Sequence, residues 1–326
     1  MNTILRTAQI CITATCFGLV SLHSIAQSYP SRPVRVLVAY APGGGADFVA
    51  RSTSLKLQER LGQQFVVDNR GGASGIIGTD LAAKAPGDGY TLLLGQTGAN
   101  ALNVVLFKKL PYDQVTDFAP IMQVTTYPYI IALHPSIPAK NLQEFIALAR
   151  SRPGDLKYGT PGPGSSAHLA VELFSRAANV KLTHVPYRGS GPAVMDTLAG
   201  QISLTFGDVA ATTQFVVAGR LRAVAVTGAK RLPLLPNVAT VQESGLPGFD
   251  ASAWHGYFAP AGTPRETINK LYTELRAVLR SPDIQQRYAQ DGLDIVASTP
   301  EEFSAYVKQE IQKWGKVVAD AGITLE

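Results

Sequence analysis

Three short runs in the 326-residue sequence carry residue types suited to holding an anion. They are Ala41-Pro42-Gly43-Gly44-Gly45-Ala46-Asp47, Gly71-Gly72-Ala73-Ser74-Gly75 and Thr160-Pro161-Gly162-Pro163-Gly164-Ser165-Ser166. Each follows a strand-like stretch and precedes a helix-like one. Glycine lets the backbone approach a ligand closely, and the first N–H groups of a helix, lacking partners within it, favour negative charge. One such loop is as readily an ordinary turn, whereas three of one design point to a site. Each helix start would contribute about 0.3–1 kcal/mol toward an anion. Ser74, Thr160, Ser165 and Ser166 supply hydroxyls, and His168 falls one turn into the helix that opens at Ser165. Gln96 and Thr97 follow another strand and join the candidate set. Asp47 is placed to cap or charge its own helix start. Asp208 closes a strand, where it either reaches the site or caps the following helix.

Other chemistries are tested by spacing. No Gly-x-x-x-x-Gly-Lys-Ser/Thr run exists, and Phe48 stands where a dinucleotide fingerprint beginning Gly43-x-Gly45 needs its third glycine. No Gly-x-Ser-x-Gly elbow is present, nor a His pair at i,i+4 or His-Glu-x-x-His. Ser165, His168 and Asp208 satisfy the bare arithmetic of a serine hydrolase, which stays as an alternative. Cys11 and Cys16 are the only cysteines. Both fall in the first 26 residues, so the rest of the chain has no disulfide, thiolate nucleophile or thiolate metal site. Neither a metal nor a cofactor is expected.

Hydrophobic residues make up 46% and charged residues 16%, a composition that excludes a disordered chain. The 29 Lys and Arg against 24 Asp and Glu are dispersed, so the gathered positive face of a nucleic-acid binder is missing. Arg6, the apolar run from Ile10 to Val20 and the small-x-small Ser24-Ile25-Ala26 read as a secretory signal peptide over residues 1–26, cleaved before Gln27. The run is too short to span a bilayer. Export to the periplasm follows.

The elements that must position these loops alternate. Extended runs at Val34–Tyr40, Phe65–Val67, Tyr90–Leu94, Lys157–Gly159, Leu182–Tyr187, Ile202–Phe206 and Leu221–Val226 are separated by helical spacings. Among these, Phe48, Ala50, Leu55, Leu57 and Leu61 form one apolar side. Such alternation predicts α/β architecture with parallel sheets covered by helices on both faces. With no repeat and no low-complexity linker, two lobes joined by two crossings are expected. The crossings fall near 124–129 and 249–258, giving lobe 1 as 27–126 plus 252–326 and lobe 2 as 127–251.

Several runs, taken in order, resemble one family. They include Tyr29-Pro30-Ser31-Arg32-Pro33-Val34-Arg35, the first glycine loop with Ala50-Arg51, Arg70 to Gly75 and Pro86-Gly87-Asp88-Gly89-Tyr90. They continue with Gly159-Thr160-Pro161-Gly162 with Ser165 and His168, Val185-Pro186-Tyr187-Arg188-Gly189, Leu235-Pro236-Asn237-Val238 with Thr240, and Pro260-Ala261-Gly262-Thr263-Pro264. This series resembles the Bug family, the substrate-binding receptors of tripartite tricarboxylate transporters, over essentially the whole exported chain. The resemblance implies a type II-like, two-lobed periplasmic binding protein that closes on its ligand like a flytrap. It implies a non-enzymatic monomer that hands a small organic carboxylate to membrane transporter subunits, with a signalling receptor as an alternative role. It also implies a carboxylate held by backbone N–H groups and small hydroxyls at Gly44, Ala46, Phe48, Ala73, Ser74, Gly75, Thr160, Ser165, Ser166 and His168, without an arginine clamp.

The ligand's far end is read by side chains that differ among such proteins. Tyr40, Phe48, Tyr127 and Trp254-His255 are either core or cleft. If Tyr40 and Phe48 face the cleft, a flat ring would stack between them, and the expected ligand is an aromatic dicarboxylate such as terephthalate. An aliphatic di- or tricarboxylate is the competing expectation.

Overall fold

The computed structural model describes residues 29–321, with side chains described through residue 319. The segment 1–26 expected to be a signal peptide lies outside them.

The first glycine loop interrupts β1 (Val34–Val38) and opens α1 (Gly45–Leu61). α1 buries Ala46, Val49, Ala50, Thr53 and Leu57, a stripe at helical spacing, and stops where Gly62 takes a left-handed φ of 68° that satisfies the Gln58 carbonyl. This stripe differs from the expected one, because Leu55 is 57% exposed and Phe48 turns to another neighbour. β2 (Phe65–Asn69) leads to a tight 3-10 turn at Ala73–Gly75 and then α2 (Ile76–Ala83). β3 (Thr91–Gln96) runs into a π-helical turn at Gly98–Leu102 and α3 (Asn103–Leu106). β4 (Phe118–Tyr127) follows.

Only Pro128 separates β4 from β5 (Tyr129–Leu133), yet β5 belongs to a different sheet. After β5 come α4 (Leu142–Ser151), β6 (Lys157–Thr160), α5 (Ser166–Ala178) and β7 (Thr183–Pro186). α6 (Ser190–Leu198), β8 (Leu204–Asp208), α7 (Val209–Val217) and β9 (Arg222–Val226) complete this section. Side-chain caps fix two of the helices. Asn141 accepts from Glu144 N at the start of α4, and Ser165 accepts from His168 N at the start of α5. The chain then re-enters the first sheet as β10 (Ala253–Pro260). It ends with α8 (Arg265–Leu279), α9 (Pro282–Gln290), β11 (Asp294–Ile295) and α10 (Pro300–Ala321).

The six-stranded sheet has the order β11-β4-β10-β3-β1-β2, and the five-stranded sheet the order β7-β6-β8-β5-β9. Apart from β11 the two follow one plan. Three parallel strands (β2-β1-β3 or β7-β6-β8) meet one antiparallel strand (β10 or β5), which pairs on its other side with β4 or β9. The expectation of purely parallel sheets is therefore corrected. Each crossing delivers a strand that enters its sheet against the direction of the others. The crossing strands are also the best sealed, for every residue of β5 and of β10 is buried.

A core under the first sheet joins Leu93, Leu102, Trp254 and Phe258 to Phe303, Val307 and Trp314 of α10. At about 1.5–3 kcal/mol for each large apolar side chain buried, this cluster anchors the last helix to the strand that returns from the second sheet.

Candidate functional site

The turns after β1, β3, β6 and β8 and the 3-10 turn after β2 meet where the two sheets face each other, beyond the carboxyl ends of the parallel strands. Gly98 marks the meeting point. A Cβ built on it would lie 3.0 Å from Tyr40 Oη and 3.1 Å from Ser166 N, atoms carried by opposite sheets. Gly75, at φ 89°, packs equally close to the Tyr40 hydroxyl. The turn before it is strained, because Ala73 (φ 45°) and Ser74 (φ 55°) are also left-handed. Three polar contacts hold it. Tyr40 Oη and Asn103 Nδ2 donate to Ser74 O at 3.2 and 3.1 Å, and Ser74 Oγ reaches across to Pro163 O.

Two helix starts face this meeting point. On α5, Leu169 N makes the first intrahelical bond and Ser165 Oγ caps His168 N at 3.2 Å. Among the described residues the N–H groups of Ser166 and Ala167 are left without an acceptor. On α1, Phe48 N bonds Gly44 O, and Gly45 N donates to Asp208 Oδ2 at 3.1 Å. Ala46 N and Asp47 N have no acceptor among the described residues. The Asp47 carboxylate accepts from Gly43 N and Arg51 Nε, so it lends charge to the first turn of α1 without capping it.

Three buried tyrosines surround the opening. Tyr129 Oη shares a 2.6 Å hydrogen bond with Ser166 Oγ, and the buried Tyr127 ring packs against Tyr129 at 5.7 Å. Burial holds the phenols of Tyr40, Tyr127 and Tyr129 well above their ordinary pKa, and Asp208 pushes each further in the same direction. Tyr127 stacks on His255 at 4.3 Å, and burial lowers His255 to about 3. Asp208 is itself only 5% exposed. Burial raises its carboxyl pKa, with Ser190 and the Gly45 N–H opposing.

Tyr40, Gly44, Ala46, Ser74, Gly75, Ser165, Ser166 and Asp208 thus come together, with Ala73 at the exposed edge of its turn. Thr160 is engaged in holding its own loop, with Oγ1 2.6 Å from His184 Nε2 and accepting from Gly162 N. Thr97 Oγ1 accepts from Trp254 N at 2.8 Å and pins the returning strand. Gln96 is buried beside it, its N–H given to Asn100 Oδ1.

His168 accepts from Gly164 N through Nδ1 and stacks against His184. Burial lowers both rings, His184 to about 4 with His168 adding to its shift. Ser165 bonds the His168 backbone, and Asp208 bonds Gly45, so the three make no hydrogen-bonded triad.

Phe48 is the exception. Its ring packs on Tyr288 of α9 at 5.7 Å and under the Arg287 guanidinium at 5.1 Å. On α1 Phe48 lies one turn beyond Gly44 and Gly45, and its ring reaches toward α9. Of the two rings expected to hold a flat ligand, Phe48 is therefore engaged with α9.

Tyr129, Gly98 and Ser190 join the site without having been singled out. The small residue at 98 and the tyrosines flanking Pro128 were the only traces of them in the sequence. Among the described residues, no His, Asp, Glu and Cys side chains gather in threes as a metal would need. Nor is any helix long and apolar enough to cross a membrane.

Two α/β sheets of matching strand order, joined by crossing strands around a polar cleft, define a type II-like, two-lobed periplasmic binding protein of the flytrap kind. Within that class, the chain belongs to the tripartite tricarboxylate transporter receptor family, whose model matches residues 49–323. It is 36% identical to the protein BugT of Bordetella pertussis over 92% of this chain and 93% of BugT. It is also similar to two solved structures. One is Rpa4515 of R. palustris with adipate (37% identity, TM-score 0.88, covering 91% of this chain and 99% of that one). The other is MatC (Rpa3494) of Rhodopseudomonas palustris with bound malate (33% identity, TM-score 0.84, covering 89% and 100%).

Proposed function

We propose that this protein is a periplasmic receptor that captures a small aliphatic dicarboxylate and presents it, as a monomer, to a tripartite tricarboxylate-type transporter. The lobes are residues 27–126 with 252–326 and residues 127–251, and no bond is made or broken. One observation carries the reading. Two helix starts on opposite sheets, Ala46–Asp47 of α1 and Ser166–Ala167 of α5, each offer N–H donors without acceptors among the described residues, with Tyr129 Oη bonded to Ser166 Oγ at the second. A dianion with a carboxylate at each end fits that pair of donors. A ligand touching both sheets stabilises the closed form by its differential affinity alone.

The aliphatic class is preferred to an aromatic one such as terephthalate for two reasons. Phe48 is engaged with Tyr288 and Arg287, and the relatives with named ligands carry adipate and malate. Thermal unfolding of residues 27–326 with adipate, malate, succinate, citrate, benzoate and terephthalate tests the reading. A ligand at 100 times its Kd adds about 2.7 kcal/mol of stability. Stabilisation by aliphatic diacids is the expected result. A response to terephthalate alone would reverse the choice of class, and no response to any acid would remove the function.

A further inference from the structure

Asp208 is a carboxylate built into a site for carboxylates. It ends β8 at 5% exposure and reaches across to the other sheet, where its Oδ2 accepts the Gly45 N–H, the first donor of α1. That donor sits beside the Ala46 and Asp47 N–H groups assigned above to one end of the ligand. Among the described residues no cationic side chain is bonded to Asp208. Tyr40 approaches from the end of β1, Tyr127 from β4 and Tyr129 from β5. Ser190 comes from the start of α6, and α7 carries no charged side chain. Of the nearby charged groups on packed helices, Asp47 is held by Arg51 and Gly43 N, and Asp196 accepts from Tyr187 Oη. His168, with His184 and Glu172 beside it, and His255 are further titratable groups on these elements. The Nδ1 atoms of His168 and His255 are already occupied by Gly164 N and Thr125 Oγ1.

A ligand carboxylate seated at α1 brings a second negative charge against the first in a buried place where no cation is bonded to it. Two carboxyl groups so placed cannot both stay ionised, so one takes a proton that lies between them. We propose that carboxylate capture is coupled to the uptake of one proton from solvent onto Asp208, whose neutral carboxyl then donates a hydrogen bond to the ligand. The raised pKa of the Asp208 carboxyl agrees with this, burial being its main cause. The inference rests on the functional reading above and adds to it that the site selects against ligands that cannot accept this hydrogen bond.

Titration calorimetry with adipate and malate, in two buffers of different ionisation enthalpy, reads the proton directly. Between about pH 6.5 and 8.5 both probes are fully ionised. The wild-type protein should take up close to one proton per ligand, and its affinity should fall up to tenfold per pH unit at the alkaline end. D208N supplies a neutral donor of the same shape. It should bind with no proton uptake and a flat pH profile, and more tightly than wild type at the alkaline end.

Binding by the wild type without proton uptake overturns the proposal whether or not D208N folds. Uptake that persists in D208N assigns the proton elsewhere and also overturns it. A loss of more than about tenfold in D208N at every pH would make Asp208 an ionised acceptor for a ligand donor, and would overturn it too. If none of the six acids binds, the functional reading fails and this inference with it, an outcome separate from binding without a proton.

Discussion

Tyr40 Oη and Asn103 Nδ2 both donate to Ser74 O, and together they hold two consecutive non-glycine residues in the left-handed region. Such residues cost about 1–3 kcal/mol each, so the contacts that over-determine them matter more than their number suggests. Tyr40→Phe keeps the packing and removes one donor. Loss of a typical buried hydrogen bond, about 0.5–1.5 kcal/mol, is expected, lowering Tm by about 2 °C, with a larger proportional loss of ligand affinity. An unchanged Tm in differential scanning calorimetry would show that Asn103 suffices. His255 supplies a second test. Its folded pKa of about 3 lies below the ordinary 6.5, so between these values the unfolded chain binds the extra proton. Stability should therefore fall as pH drops from 6.5 toward 3, a slope that urea melts would measure and that His255→Gln should flatten. At this scale the sequence was informative wherever backbone chemistry decides. Gly, Pro and Ser mark the loops at 41–47, 71–75 and 160–166 because few other residues make such turns. Phe48 was illegible for the opposite reason, since the partner that claims its ring, Tyr288, lies on the last third of the chain.

Strands and helices that alternate with clear punctuation were legible, and α1 and α5 open within a residue of the loops marked at 41–47 and 160–166. The π-helical turn at Gly98–Leu102 and the full length of β4 and β5 were not. Every residue of that turn and of β5 is buried, so no polar face marks its periodicity. The antiparallel entry of β5 and β10 was hidden for a related reason. Direction in a sheet is set by partners far along the chain, such as His255 opposite both Gln96 and Thr125. The π-turn matters because it places Gly98 between Tyr40 and Ser166. Gly98→Ala suits a helical backbone and should leave the Tm of the ligand-free protein unchanged or slightly raised. The added methyl meets atoms of both sheets at 3.0–3.1 Å, so it opposes their approach and should weaken adipate or malate binding by about tenfold or more. Equal affinity in calorimetry would mean that the turn yields and does not gate the cleft.

For the whole molecule, the approach of the two sheets can be fixed covalently. A Cβ built on Gly44, at the start of α1, lies 3.5 Å from the Cβ of Ser190, at the start of α6. That separation is at the near edge of the 3.5–4.5 Å range of disulfides, and the Gly44 φ of −96° admits any side chain. The sequence has no cysteine after Cys16, so a Gly44→Cys/Ser190→Cys pair would have no competing thiol once residues 1–26 are removed. Each site belongs to a different sheet, so the bond would form only in the closed arrangement and would hold it closed. Oxidation in the presence of adipate or malate should trap the ligand through gel filtration, and a reductant should release it. Oxidation without ligand should give a protein that no longer takes either acid up. Because a ligand that bridges the sheets raises the closed population, the bond should also form faster with ligand than without it. Thiol counting against time, with and without the acid, measures that ratio. Equal rates would mean that binding and closure are independent, and the two-sheet seat for the dicarboxylate would have to be abandoned.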